Sequence, residues 1–181
     1  MKLTPGVVVA GGVVAGIGAA VGVAALRRAA TIPLTAVAYV DPQRYAGRWF
    51  EIARYPARFE RTCEKNTTAS YHLLGPRRLR IVNACTRRDG RLEMIEGTAR
   101  IVAPSNAKLA VKFSAFMPAA PYWIIDLDED YRYAVVGEPS RRYLWILARR
   151  PRLDAETLEA IYTRLRANGY DPDALVSSPQ D

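Results

Sequence analysis

The chain has 181 residues, half of them hydrophobic and about a quarter charged, the balance of one globular domain with an appendage. Its net charge of +8 rests on arginine, 22 of the 26 basic residues; with no aromatic-interleaved basic motif, this reads as a solvated surface rather than a nucleic-acid interface. His72 is the single histidine, which all but excludes a His-based metal centre and weakens any His-based acid–base chemistry.

The first predicted element is apolar. Gly6 to Leu26 carries no charge over 21 residues, long enough to span a bilayer as a helix and longer than the usual apolar stretch of an export signal. Gly12 and Gly16, then Gly18 and Gly22, recur at a spacing that lets helices approach closely, although simple enrichment in small residues explains them equally well. Residues 1–28 therefore read as an uncleaved anchor, with a cleaved export signal as the alternative and Ala36-Val37-Ala38 as a candidate cleavage point. Residues 29–40 read as a tether to a domain over 41–181.

After Pro42 the chain breaks into short segments of alternating hydrophobicity separated by turn residues. Strands are expected at 47–55, 67–74, 78–86, 91–102, 108–115, 122–127, 131–137 and 142–149. The first opens at Gly47 and places Trp49, Glu51, Ala53 and Tyr55 on one face by simple alternation. A loop with Pro56 and Cys63 follows it. Asp89-Gly90 is a hairpin turn, and Gly97 inside the fourth strand suggests a bend or bulge. Eight successive strands with short links pair neighbour to neighbour, and closing the sheet removes its edges. The expected fold is all-β, an eight-stranded antiparallel up-and-down barrel wide enough for one small ligand. Past Pro151, Asp154 caps a helix whose Leu158, Ile161, Tyr162 and Leu165 form one apolar stripe, ended by Asn168-Gly169. The helix should lie on the outside of the barrel, and 170–176 could add a short strand.

Three separated stretches resemble a known pattern. Gly47-Arg48-Trp49, extended through Phe50-Glu51-Ile52-Ala53-Arg54-Tyr55-Pro56, Asp130-Tyr131 before Arg132-Tyr133-Ala134-Val135-Val136, and Arg149 closing Tyr143 to Ala148 are similar to the signatures of the lipocalin family, specifically the bacterial lipocalins related to apolipoprotein D. The resemblance covers roughly 41–180. It implies that Arg149 crosses the closed end of the barrel and stacks on Trp49, a structural pairing rather than a catalytic one. It implies binding, storage or transport of a small hydrophobic ligand, a fatty acid or (lyso)phospholipid, in the bacterial cell envelope, with no enzymatic activity, cofactor or metal. Bacterial relatives often carry a lipid-modified cysteine after the signal; none follows the apolar run here, so the run itself is the expected membrane attachment, and its helix seam a possible homodimer contact.

Alternation proposes the lining. Tyr143, Trp145 and Leu147 share the parity of Arg149, and Ile81, Val111, Phe113, Tyr133 and Tyr55 complete the candidate ligand contacts; any of them could equally be plain barrel core. Glu51 shares the parity of Trp49, and if buried it needs an arginine or tyrosine partner; a carboxylate lining would favour a zwitterionic headgroup over a free fatty acid. Cys63 and Cys85, in an exported domain, favour a disulfide. Two rival readings stand beside the carrier. One is a lipocalin-fold isomerase with a reactive Cys63 thiolate near Arg61 and Lys65; the other is a structural envelope protein whose barrel is filled by its own aromatic side chains.

Overall fold

The structure is a computed structural model that describes residues 33–181. The apolar run over 6–26, its glycine pairs and the anchor-or-signal reading of 1–28 lie outside those residues. Among the described residues no helix is long and apolar enough to cross a membrane. The end of the expected tether is packed: Leu34 and Val40 are buried, and the Val37 N–H donates to the Ile124 carbonyl at 2.9 Å.

A single helical turn, α1 (Pro42–Tyr45), opens the domain, with the Asp41 carboxylate accepting from the Gln43 and Arg44 N–H groups. The strands follow as β1 (Gly47–Arg54), β2 (Cys63–Gly75), β3 (Arg78–Arg87), β4 (Leu92–Ile101), β5 (Lys108–Lys112), β6 (Ala120–Leu127), β7 (Tyr133–Gly137) and β8 (Leu144–Ala148). Each pairs antiparallel with the next, and β1 pairs with both β8 and β2, which closes the barrel. Cys63 opens β2 instead of sitting in the loop before it. Gly97 makes no bulge, because its register against Ile81 is regular. What it supplies is space: a Cβ there would lie 2.6 Å from the Phe113 ring, too close for any real side chain.

Helix α2 (Ala155–Ala167) begins where the Asp154 carboxylate accepts from the Thr157 N–H at 2.8 Å, and it buries Ile161 and Leu165. These meet Ala53, Ile125, Val135, Leu144 and Ile146 on the outer face of the barrel. A second cluster fills the inside, built on Trp49, Tyr71, Ile81, Val111, Ile124, Val136 and Leu147. Strand β7 is therefore buried on both faces, and Ala134, Val135 and Val136 are all fully enclosed. The expected strand over 170–176 is mostly a 3₁₀ turn, Pro172–Ala174, followed by the short β9 (Val176–Ser177) on the edge of β1.

Irregularities in β1 and β6, besides those of β2 against β3, reset the alternation. In β1 the register against β8 steps from Glu51↔Leu147 to Ala53↔Ile146, so Ile52 is an inserted residue. In β6 it steps from Ile124↔Val136 to Asp126↔Val135. An extra residue in one strand moves every later side chain to the other face. Tyr55 is a correction that follows directly: it belongs to the outer cluster, and its hydroxyl donates to the Asp171 carbonyl at 2.9 Å and accepts from the Asp171 N–H at 2.7 Å. Tyr133 is a second correction. It pairs with Ala148, one residue off the inward Leu147, and its hydroxyl accepts from the Arg164 guanidinium of α2 at 2.7 Å.

Past Phe50 and Thr68 the pairing of β1 with β2 ends. The C-terminal tail covers the opening. The Ser178 N–H donates to the Ile52 carbonyl at 2.9 Å, and the Gln180 side-chain amide donates to the Glu51 and Thr67 carbonyls at 2.8 and 3.0 Å. Lys65 pairs with Asp181 at 2.6 Å.

Candidate functional site

One end of the barrel is sealed. Trp49 is fully buried, and its indole N–H donates to the Tyr45 carbonyl at 2.8 Å. The Arg149 guanidinium lies 3.8 Å from the indole centroid and donates to the carbonyls of Arg48 at 2.8 Å, Arg44 at 2.6 Å and Ala46 at 2.9 Å. Gly47 makes the approach possible: its φ is +94°, and a Cβ there would stand 3.4 Å from Arg149 Nη1. Beside the seal Tyr131 accepts from the Asp41 N–H at 2.8 Å, with Arg44 stacked 4.2 Å above its ring. The turn preceding Tyr131 is held by Asp128 rather than Asp130. The Asp128 carboxylate accepts from the backbone N–H groups of Asp130 and Arg132, each at 3.1 Å, and from the Arg132 guanidinium at 2.7 Å. Above this, Tyr122 shares hydrogen bonds of 2.7 Å with both Tyr45 and Tyr71, and desolvation pushes the Tyr71 hydroxyl up to about 12. The base of the lumen is thus filled with rings.

The upper half is lined differently. Ile81, Val111 and Leu147 are buried on the inner wall, and Trp145 packs against the same cluster. Tyr143, just before β8, stacks on Trp145 with centroids 5.9 Å apart, and Phe59 meets Tyr143 at 5.7 Å. These three rings form a ladder from the rim into the lumen. Phe113 shares the inward parity of Val111 and sits near the mouth, 37% exposed. Asn83 is one that sequence reasoning missed. It shares a face with Ile81 and Cys85, and its Oδ1 is buried with no hydrogen-bond partner among the described residues, an acceptor available to a guest's hydroxyl. Around the open end Phe59, Leu92, Met94, Ile95, Phe116 and Met117 are exposed, Phe116 at 99%.

The bulge at Ile52 also turns Arg54 inward, opposite Trp145. There it lies 3.2 Å from Glu51 and 2.8 Å from Glu60, the second approach lacking hydrogen-bond alignment. Glu60 accepts from the Trp145 indole N–H at 3.2 Å, and Glu51, only 4% exposed, accepts from the Ser178 hydroxyl at 2.5 Å. The buried carboxylate thus has the arginine partner it needs, from a residue that strict alternation places outside. Burial, reinforced by the Glu60 carboxylate, pushes Glu51 up from 4.5 to about 7 against the pull of Ser178 and Arg54. For a carboxyl raised on folding, the folded state holds a proton the unfolded chain releases. Its contribution is full below about pH 4.5, is lost as pH rises to about 7, and is flat above. Between pH 4.5 and 7.5 we expect Glu51→Gln to gain on the wild type by on the order of 1–3 kcal/mol. Thermal melts of both proteins across that range read the difference; an offset that does not change with pH removes Glu51 as the titrating group.

Cys63 and Cys85 form a disulfide with Cα atoms 5.6 Å apart, joining the top of β2 to the top of β3. No described cysteine is free. Next to the bridge, outside Arg54 and Glu60, the mouth carries an open depression of about 540 Å³.

Residues 40–180 match the family model described as a lipocalin-like domain. The chain is 38% identical over 149 residues to temperature-induced lipocalin-1 of Arabidopsis thaliana, covering 78% of this chain and 80% of that protein. It is 38% identical over 146 residues to the outer membrane lipoprotein Blc of Escherichia coli K12, covering 79% and 81%. Among solved structures, insecticyanin from the tobacco hornworm Manduca sexta superposes with a TM-score of 0.66 at 24% identity, over 81% of this chain and 84% of that one. That last likeness speaks to fold alone.

Proposed function

The chain belongs to the lipocalin family, and from that premise we propose that it binds a fatty acid or single-chain phospholipid and stores or carries it in the bacterial cell envelope. The observation that carries the reading is the asymmetry of the barrel. One end is corked by Trp49 under Arg149, whereas the other has a greasy rim and an aromatic ladder leading inward. An acyl chain entering such a lumen gains roughly 0.8 kcal/mol per methylene removed from water, and only a few polar groups are needed to orient it. The envelope setting is supported by the kinship with an outer membrane lipoprotein, with the apolar N-terminal run of this chain as the proposed attachment. The role is carriage without turnover. The isomerase alternative calls for a Cys63 thiolate, and that sulfur is committed to Cys85.

Native mass spectrometry of protein purified from its host tests this. A bound mass that extracts as a single-chain lipid, together with displacement of a fluorescent fatty acid and quenching of Trp145, is the expected result. A bare protein that takes up no fluorescent fatty acid would mean that the tyrosine-filled base extends to a filled barrel, and the carrier reading would fall.

A further inference from the structure

We propose that the depression at the barrel mouth is an anion subsite for the phosphate headgroup of a single-chain lipid whose tail occupies the lumen, an inference that rests on the carrier reading above. The depression is lined by Arg54, Arg58, Arg61 and Arg88, with Glu60 the single carboxylate. Glu60 is already engaged by Arg54 and by the Trp145 indole N–H. Arg58, Arg61 and Arg88 have no ion-pair or hydrogen-bond partner among the described residues. Arg54 faces the carboxylates of Glu60 and Glu51, so the unpaired positive charge in this concavity of about 540 Å³ is that of Arg58, Arg61 and Arg88.

This charge is placed where an amphiphile's head would emerge. Arg54 belongs both to the depression and to the lumen wall, paired across the strands with Trp145. The ladder from Phe59 through Tyr143 to Trp145 runs down beside it and supplies the apolar path for the chain. The second lumen carboxylate, Glu51, is directed at Ser178 and Arg54 and lies outside this lining. A zwitterionic choline head would bring a cation to a site already rich in cations. A phosphomonoester brings nearly two negative charges and three acceptor oxygens, which match several guanidinium forks; a fatty carboxylate brings one charge and two oxygens.

The test compares three ligands with the same acyl chain below their aggregation limits: oleoyl-lysophosphatidate, oleate and mono-oleoylglycerol, read by Trp145 quenching at low salt. Lysophosphatidate should bind at least about tenfold tighter than mono-oleoylglycerol, with oleate between them, and the preference should shrink as salt is raised. In the double variant Arg61→Gln/Arg88→Gln the ratio of the two affinities should fall to within about twofold. A charge-matched control, Arg150→Gln/Arg152→Gln at the opposite end, should keep the wild-type ratio. The readout is a ratio, so a general loss of binding cannot imitate it, and circular dichroism checks that each variant is folded. Equal affinity for the neutral and phosphate heads overturns the subsite while leaving the carrier reading intact. So does an unchanged ratio in the mouth variant, or tighter binding of oleate than of lysophosphatidate. If inorganic phosphate alone binds as tightly as the lipid, the depression is a free-anion site and the lipid assignment fails. If none of the three lipids binds, the carrier reading itself is lost.

Discussion

Trp49→Ala is expected to lower the melting temperature by roughly 10 °C. The indole is fully buried at the sealed end, and removing a buried tryptophan costs about 3–5 kcal/mol in transfer and cavity terms. A protein of this size loses about 2–4 °C for each kcal/mol. The loss spreads beyond the indole, because Trp49 is the floor on which Arg149 lies. Without that face the guanidinium must hold its carbonyl partners on Arg44, Ala46 and Arg48 across a void. Arg149→Lys should therefore rescue little: a single ammonium cannot reach the same carbonyls or present a flat face to a ring. Combining Trp49→Ala with Arg149→Ala should destabilise less than the sum of the two by about 1 kcal/mol, measured by circular dichroism melts. Strictly additive losses would mean that the two side chains seal the base independently.

Replacing Cys63 and Cys85 by serine should cost about 3 kcal/mol, because the bridge closes a loop spanning 22 residues that the unfolded chain would otherwise leave free. The same loss should follow addition of dithiothreitol to the wild type, and the serine variant should ignore the reductant. Cys63 is also part of the mouth depression, next to Arg61. The double variant should thus loosen the rim as well as the fold, seen as faster amide exchange over 58–64 than over β7. A melting temperature indifferent to both treatments would leave the bridge with no stabilising role.

Several features of the site could be read before the fold was known, most from local residue patterns and the Trp49–Arg149 contact from the family resemblance. The strand rhythm, Asp154 as the cap of the long helix, the pairing of Cys63 with Cys85 and the meeting of Trp49 with Arg149 all rest on local chemistry or on separated short stretches, and each appears where expected. Trp145, Leu147, Ile81 and Val111 face inward because alternation holds along an uninterrupted strand. Tyr55 and Arg54 exchange faces because Ile52 is inserted opposite β8, nearly a hundred residues away in the chain, and nothing around Ile52 announces an insertion. Tyr133 misleads for another reason: β7 is apolar on both sides, so its pattern carries no sign of which side is the lumen.

By itself, then, the order of residues determined the architecture, since turn residues, period-two apolarity and helix caps act over a few neighbours and need no knowledge of the rest of the chain. The lining of the mouth was decided only by the closed barrel. A side chain's face depends on what covers each side of its strand, here α2 on one side and the lumen on the other. The arginines of the β1–β2 connection meet Arg88 only because the sheet brings the tops of β2 and β3 together.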